Sequence, residues 1–194
     1  MSKFIEEVSK IDFINEVEIK ISDIEAGLKK YKSKILSIHN KKLTVEEEKS
    51  FAINEIGMLN SKEENKFIDF MQKAYELNND KGTIIDFYIN RLDDNSISNI
   101  AERLEGRSRE LFLEIIKEMR GDTVYFKALD KEIIELITKL NTRELFFCTV
   151  YFLDTPLTVW GNYNLEFPIF YKDEEGLETY KELIDKSGLY YHNV

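Results

Sequence analysis

Eleven apolar residues (Phe4, Val8, Ile11, Ile14, Val17, Ile21, Ile24, Leu28, Tyr31, Ile35 and Ile38) cover 34 residues in ten steps, a mean spacing of 3.4. That is a helical period, and it predicts an N-terminal helix about 50 Å long at roughly 1.5 Å per residue. Gly27 weakens such a helix by up to about 1 kcal/mol relative to Ala, so a break is expected near Ser9 or Gly27. Further apolar residues at Ile5, Phe13, Ile19 and Leu36 widen the stripe beyond a two-stranded seam. The stripe therefore points to packing on the chain's own core, with a dimerising coiled coil as the alternative.

Shorter amphipathic segments follow. Thr44 with Glu47, and Ser61 with Glu64, have capping-box spacing. They start one helix carrying Phe51, Ile53, Ile56 and Leu59 and a second carrying Phe67, Ile68, Phe70, Met71, Ala74 and Tyr75, which stops at Asn78-Asn79-Asp80-Lys81-Gly82. Thr83 is expected to cap a helix through Leu92, and the Asp93-Asp94-Asn95-Ser96 cluster one through Leu104. A helix over Leu111 to Met119 with Gly121 as its stop, and one over Glu132 to Leu140 capped by Asp130, complete the series. The expected fold is a single, mainly α domain: an irregular multi-helix bundle or helical-hairpin stack.

Beyond Asn141 the composition changes. Residues 141–194 hold 12 of the 24 aromatics, both prolines, the single Trp and the single Cys, and carry four basic against nine acidic residues. This acidic, aromatic-rich portion is expected to pack on the helical portion 1–140, with room for one or two short edge strands. Thr142 as a cap favours helix over 145–152, while Pro156 and Gly161-Asn162 predict an irregular loop around Leu157 to Trp160. Asn164 to Tyr171 reads as extended, and Pro168 would confine a strand there to an edge. Asp173 or Glu174 opens a last helix that runs through Lys186 and closes at Gly188.

Charge narrows the function classes. Lys+Arg 27 against Asp+Glu 37 leaves a net charge of −10, which repels nucleic acid and anionic membrane surfaces and favours a basic protein partner. The longest apolar run, Leu145 to Leu153, falls well short of the ~20 residues that span a bilayer. Glu6 and Glu7 stand where a signal peptide would carry its apolar run, and Cys148 is the only cysteine, so a cytoplasmic protein is expected. Abundant Lys, Ile and Asn with two prolines suggest a bacterial source. The chain is expected to be monomeric when free and to need no cofactor.

No complete catalytic motif occurs. His39 and His192 lie outside any metal-ligand spacing, and Cys148 sits in the apolar run Phe-Phe-Cys-Thr-Val, which predicts a buried, inert thiol. Glu46-Glu47-Glu48, Asp93-Asp94 and Asp173-Glu174-Glu175 suit helix N-termini, where negative charge complements the macrodipole. Arg103, Arg107, Arg109 and Arg120 interleave with Glu102, Glu105 and Glu110, a pattern of local ion pairing. The segment Thr155 to Asn164 stands out because Trp160 and Tyr163 are the residue types that anchor interfaces, with Trp160 as a plug closing the core over the helices as the alternative. The candidate partner-binding residues are Asp154, Trp160, Tyr163, Asp173, Glu174 and Tyr180. They suggest a cytoplasmic bacterial interaction module for a basic protein, in its most specific form an immunity protein neutralising a toxin. The alternatives are a metal-dependent all-α hydrolase using Glu102/Glu105, Glu132/Glu135 or Glu175/Glu178, and a helical regulatory or dimerisation domain using the N-terminal seam.

Overall fold

Three four-residue segments, Thr-Ile-Ile-Asp, Thr-Val-Tyr-Phe and Leu-Thr-Val-Trp, are rich in β-branched and aromatic residues and form central strands. The computed structural model describes residues 3–47, 61–118 and 121–194, and its main feature is an eight-stranded antiparallel sheet. The strands are β1 (Ile5–Val8), β2 (Lys32–Ser37), β3 (Thr83–Asp86), β4 (Tyr125–Ala128), β5 (Thr149–Phe152), β6 (Leu157–Trp160), β7 (Glu166–Tyr171) and β8 (Tyr190–His192). Their order is β1-β4-β3-β5-β6-β7-β2-β8, so strands from both ends of the chain interleave in one sheet. Among the described residues the helices are α1 (Lys10–Glu16), α2 (Ile24–Lys30), α3 (Ser61–Leu77), α4 (Asp94–Arg103), α5 (Gly106–Glu118), α6 (Lys131–Thr142) and α7 (Glu174–Lys186), and a further helix opens at 45–47. The fold is mixed α/β, which overturns the expectation of a mainly α bundle or hairpin stack with at most one or two short edge strands.

Both faces of the sheet are apolar, which is what drives this architecture. On one face Ile85, Phe126, Val150, Val159, Phe167 and Ile169 meet helices α3 to α7 in the main core. The alternate residues of the same strands point the other way: Ile84 and Tyr151 pack with Val8, Phe13 and Val17, and Phe170 packs with Ile19 and Ile21. The N-terminal stretch from α1 to α2 is a strap over this second face.

The strap replaces the long helix expected over Phe4 to Ile38. Strand, helix, extended segment, helix and strand follow one another there, and Val17, Ile19 and Ile21 are buried with period two. Phe13 stacks on Tyr125 with ring centroids 3.8 Å apart. The extended part is tied down by hydroxyls from the sheet, Thr158 Oγ1 donating to Ile19 O at 2.7 Å and Tyr151 OH to Ile21 O at 3.1 Å. Ile11 and Ile14, members of the apparent seam, are 71% and 50% exposed on the outer side of α1. Gly27 lies inside α2, where an added Cβ would sit 3.1 Å from the Phe170 ring, so here glycine permits close approach to the sheet.

Three further expectations are corrected. Residues 83–92 form β3 and a 3-10 turn, not a helix; 145–152 end in β5; and Leu157 to Trp160 is β6, not an irregular loop. Pro168 lies on an interior strand. The β6–β7 ladder ends at Val159 opposite Ile169, leaving Pro168 opposite Ile35 of β2 alone, so its missing N–H breaks no ladder bond toward β6.

Helices with side-chain caps form where expected. Asp93, Asp130 and Asp173 accept from Ser96 N, Glu132 N and Gly176 N at the starts of α4, α6 and α7, and Thr44 and Glu47 form a reciprocal capping box. The capping box expected of Ser61 with Glu64 rests on a side chain outside the described residues, but Glu64 itself is placed. It is buried and accepts from Thr142 Oγ1, Arg143 Nε and Arg143 Nη2 at 3.0, 2.8 and 2.8 Å, joining α3 to the end of α6. The helix expected over Phe51 to Leu59 lies outside the described residues. Among the described residues no helix is long and apolar enough to cross a membrane.

The strap and a helical seam make opposite demands on Ile11 and Ile21. Ile21→Glu is expected to cost 3 kcal/mol or more by burying an unpaired charge, while Ile11→Glu should stay within about 0.5 kcal/mol of the parent in urea denaturation. Equal costs would contradict the strap.

Candidate functional site

Among the described residues the strap leaves part of the second face uncovered. A row of paired residues crosses the sheet there, from Tyr125 to Asp86, Asp86 to Thr149 and Thr149 to Trp160. Above it lies a cavity of about 300 Å³, walled by the strap at Ile21 and Ser22 and by aromatic side chains at Tyr88, Tyr125, Tyr151 and Trp160. Phe147 and Tyr163 complete the wall at its edge, their rings meeting edge to face at 4.7 Å.

The start of β5 is fixed by Asn141 at the end of α6. Its side chain donates to Cys148 O at 3.0 Å and accepts from Cys148 N at 2.8 Å, imitating a neighbouring strand. Gly161 N bonds the same carbonyl at 3.1 Å. A Cβ on Gly161 would lie 2.3 Å from Asn141 Oδ1, so only glycine lets the chain pass this clamp. The clamp in turn places Thr149 N, which donates to Asp86 Oδ1 at 2.6 Å.

Asp86 is 7% exposed and, among the described residues, is the single Asp, Glu, Lys, Arg or His in the cavity wall. Among the described residues it makes no ion pair, because Thr149 N is its strong partner and Tyr151 OH approaches Oδ2 only to 3.5 Å. Burial pushes its pKa up to about 6, against the lowering effect of the Thr149 hydrogen bonds and of Tyr151. Burial first, and then the Asp86 charge, also raise the pKa values of Cys148 and Tyr151. Tyr88 and Tyr125 are shifted upward by burial too, with Asp86 contributing. All four stay neutral near pH 7. At that pH the described wall of the cavity thus holds one carboxylate, aromatic faces and no compensating cation. Cys148 is 2% exposed and its thiol is held protonated, as the sequence indicated.

The six sequence-derived candidates do not share one surface. Trp160 and Tyr163 line the cavity, Trp160 half-buried against Ile19 and Ile21, and Tyr163 58% exposed. Asp154, Asp173, Glu174 and Tyr180 gather at the opposite end of the sheet, beyond Leu157 and its partner Tyr171. There Asp154 accepts from Lys81 N, Asp173 caps α7, and exposed Glu174 pairs with Lys32 at 3.2 Å. Tyr180 is fully buried, donating to Thr155 O at 2.6 Å and accepting from Asn78 Nδ2 at 2.8 Å, so it has no surface for a partner.

Among the described residues no group of three or more His, Cys, Asp or Glu is placed to hold a metal ion. Arg107 pairs with Glu132 at 2.9 Å and Lys139 with Glu135 at 2.7 Å, so the Glu132/Glu135 pair is taken up by local cations. Asp86 was missed because it is an isolated acid. Its signal in the sequence is its setting, a carboxylate between Ile84-Ile85 and Phe87-Tyr88. Comparisons of the chain with protein-family models, with curated proteins and with solved structures find no match.

A carboxyl whose pKa folding raises favours the folded state when protonated. Its contribution is most favourable below about pH 4, falls as pH rises to about 6, and is constant above. The upward shift of about two units corresponds to roughly 3 kcal/mol. Asp86→Asn should therefore be more stable than the parent at pH 7, with the gap shrinking by about that amount at pH 4. A gap independent of pH in denaturation experiments would contradict the unpaired carboxylate. Gly161→Ala should instead destabilise at both pH values, by 2 kcal/mol or more.

Proposed function

We propose that the chain is a protein-interaction module that captures a basic protein partner by drawing one of its cationic side chains into the cavity over Asp86. The observation that supports this most is a carboxylate more than nine-tenths buried, with no ion-pair partner among the described residues, in the wall of an aromatic-lined cavity. Such a charge is costly while unpaired, and a cation entering from outside recovers that cost as binding energy. Aromatic faces add cation–π attraction, and a volume of about 300 Å³ suits one side chain rather than a large metabolite. The net charge of −10 steers a basic partner toward the molecule before contact. In this reading the module works in the bacterial cytoplasm, and a basic toxin is one partner of the required charge.

Selection of a displayed random dodecapeptide library on the protein at pH 7.5, with counter-selection on Asp86→Asn, tests the proposal. Enriched peptides should carry Lys or Arg, bind the variant at least tenfold more weakly and lose affinity as salt rises. Enrichment of sequences without basic residues, or equal retention by Asp86→Asn, would refute it.

A further inference from the structure

Asp86 does not offer a cation two equal oxygens. Oδ1 is engaged by Thr149 N at 2.6 Å, in a position set by the Asn141 clamp on the neighbouring Cys148 backbone. Oδ2 has the 3.5 Å approach of the Tyr151 hydroxyl, whose closer acceptor is Ile21 O at 3.1 Å, and the Thr149 side chain also bonds the carboxylate. One carboxylate oxygen therefore holds a short backbone bond, and the other only a long one from Tyr151.

This asymmetry separates the two cationic side chains. A guanidinium binds carboxylates best through two parallel N–H bonds, and it brings five donors in a fixed plane. Over Asp86 one of the two oxygens already holds a 2.6 Å bond from Thr149 N, so the two parallel bonds cannot both form at full strength. An ammonium is a compact point charge with three donors that rotate freely. It can direct one at Oδ2 and turn the rest to the tyrosine hydroxyls or to water, while its methylene stem packs against the aromatic wall.

We propose that the cavity is a lysine site: it takes the primary ammonium of a partner's lysine side chain in preference to an arginine guanidinium. The assignment rests on the cavity being the place where a basic partner binds. Selectivity of this kind reads single lysines on a partner surface, and a lysine whose amine is acetylated, and so uncharged, would be refused.

Trp160 is the chain's single tryptophan and lines the cavity, so its emission reports occupancy directly. Short acetylated and amidated alanine peptides with one central Lys, Arg, norleucine or acetyl-lysine would be titrated at pH 7.5, with n-butylammonium as the free amine. The Lys peptide should give a saturable change at least tenfold tighter than the Arg peptide, with norleucine and acetyl-lysine silent. Lys binding should weaken at least tenfold in Asp86→Asn, and also in the parent at pH 5, where Asp86 becomes protonated while Tyr88, Tyr125, Tyr151 and Cys148 remain neutral. The guanidinium of Arg91 stacks on Tyr88 outside the cavity wall, 4.7 Å from the ring centroid. An Arg peptide that binds as tightly as the Lys peptide, or tighter, overturns the lysine assignment and leaves the cationic site standing. Silence of both overturns the assignment and the site together. n-Butylammonium binding tenfold more tightly than the Lys peptide would overturn a partner's lysine as the source, in favour of a free amine.

Discussion

A sheet with apolar residues on both faces must be covered twice. Helices α3 to α7 cover one face of this sheet, and among the described residues the strap from α1 to α2 covers the other. Buried Thr158 and Tyr151 hydroxyls hold the strap at Ile19 and Ile21, so its path is fixed by hydrogen bonds that pay for their own burial. The cavity exists because this cover stops short of the Asp86–Thr149–Trp160 row. Fold and site thus share one cause, a second face larger than the segment laid over it.

The polar groups near that boundary belong to a chain of dependencies. Asn141, at the end of α6, fixes the backbone of Cys148; Gly161 lets β6 leave beside it; and Thr149, next along β5, holds one oxygen of Asp86. The other oxygen is left without a strong partner. A buried carboxylate replaced by a well-packed neutral residue generally gains stability. The arrangement is therefore the kind expected where binding, not folding, uses the charge. Elsewhere the buried ion pair Glu64–Arg143 shows the contrasting case, a carboxylate whose hydrogen bonds are all internal.

Helices with cap residues could be read in the sequence because their signals are local. Asp93, Asp130 and Asp173 each precede an amphipathic run and each accepts the expected amide. The central strands were not legible. β3 and β5 are buried at every position, and β6 at all but Trp160, so they show no alternation and resemble fragments of buried helix. The N-terminal seam misled for a different reason: strand, helix and extended spacings happened to average 3.4, although Ile11 and Ile14 turn outward and Val17, Ile19 and Ile21 turn in. The weight placed on Trp160 and Tyr163 found two walls of the cavity. Its charged centre was out of reach, because the pairing of Asp86 with Thr149 joins residues 63 apart in sequence.

Among the described residues Asp86 has no ion-pair partner, and its own titration tests the proposed cation site most directly. The carbon-13 resonance of its carboxyl, followed from pH 3 to pH 8, should give a pKa of about 6 in the free protein. Saturating a lysine peptide should move the midpoint downward by at least one unit, because a bound ammonium favours the ionised form. A free-protein midpoint at or below the ordinary aspartate value near 4, or a raised midpoint that the peptide leaves unmoved, would contradict the account.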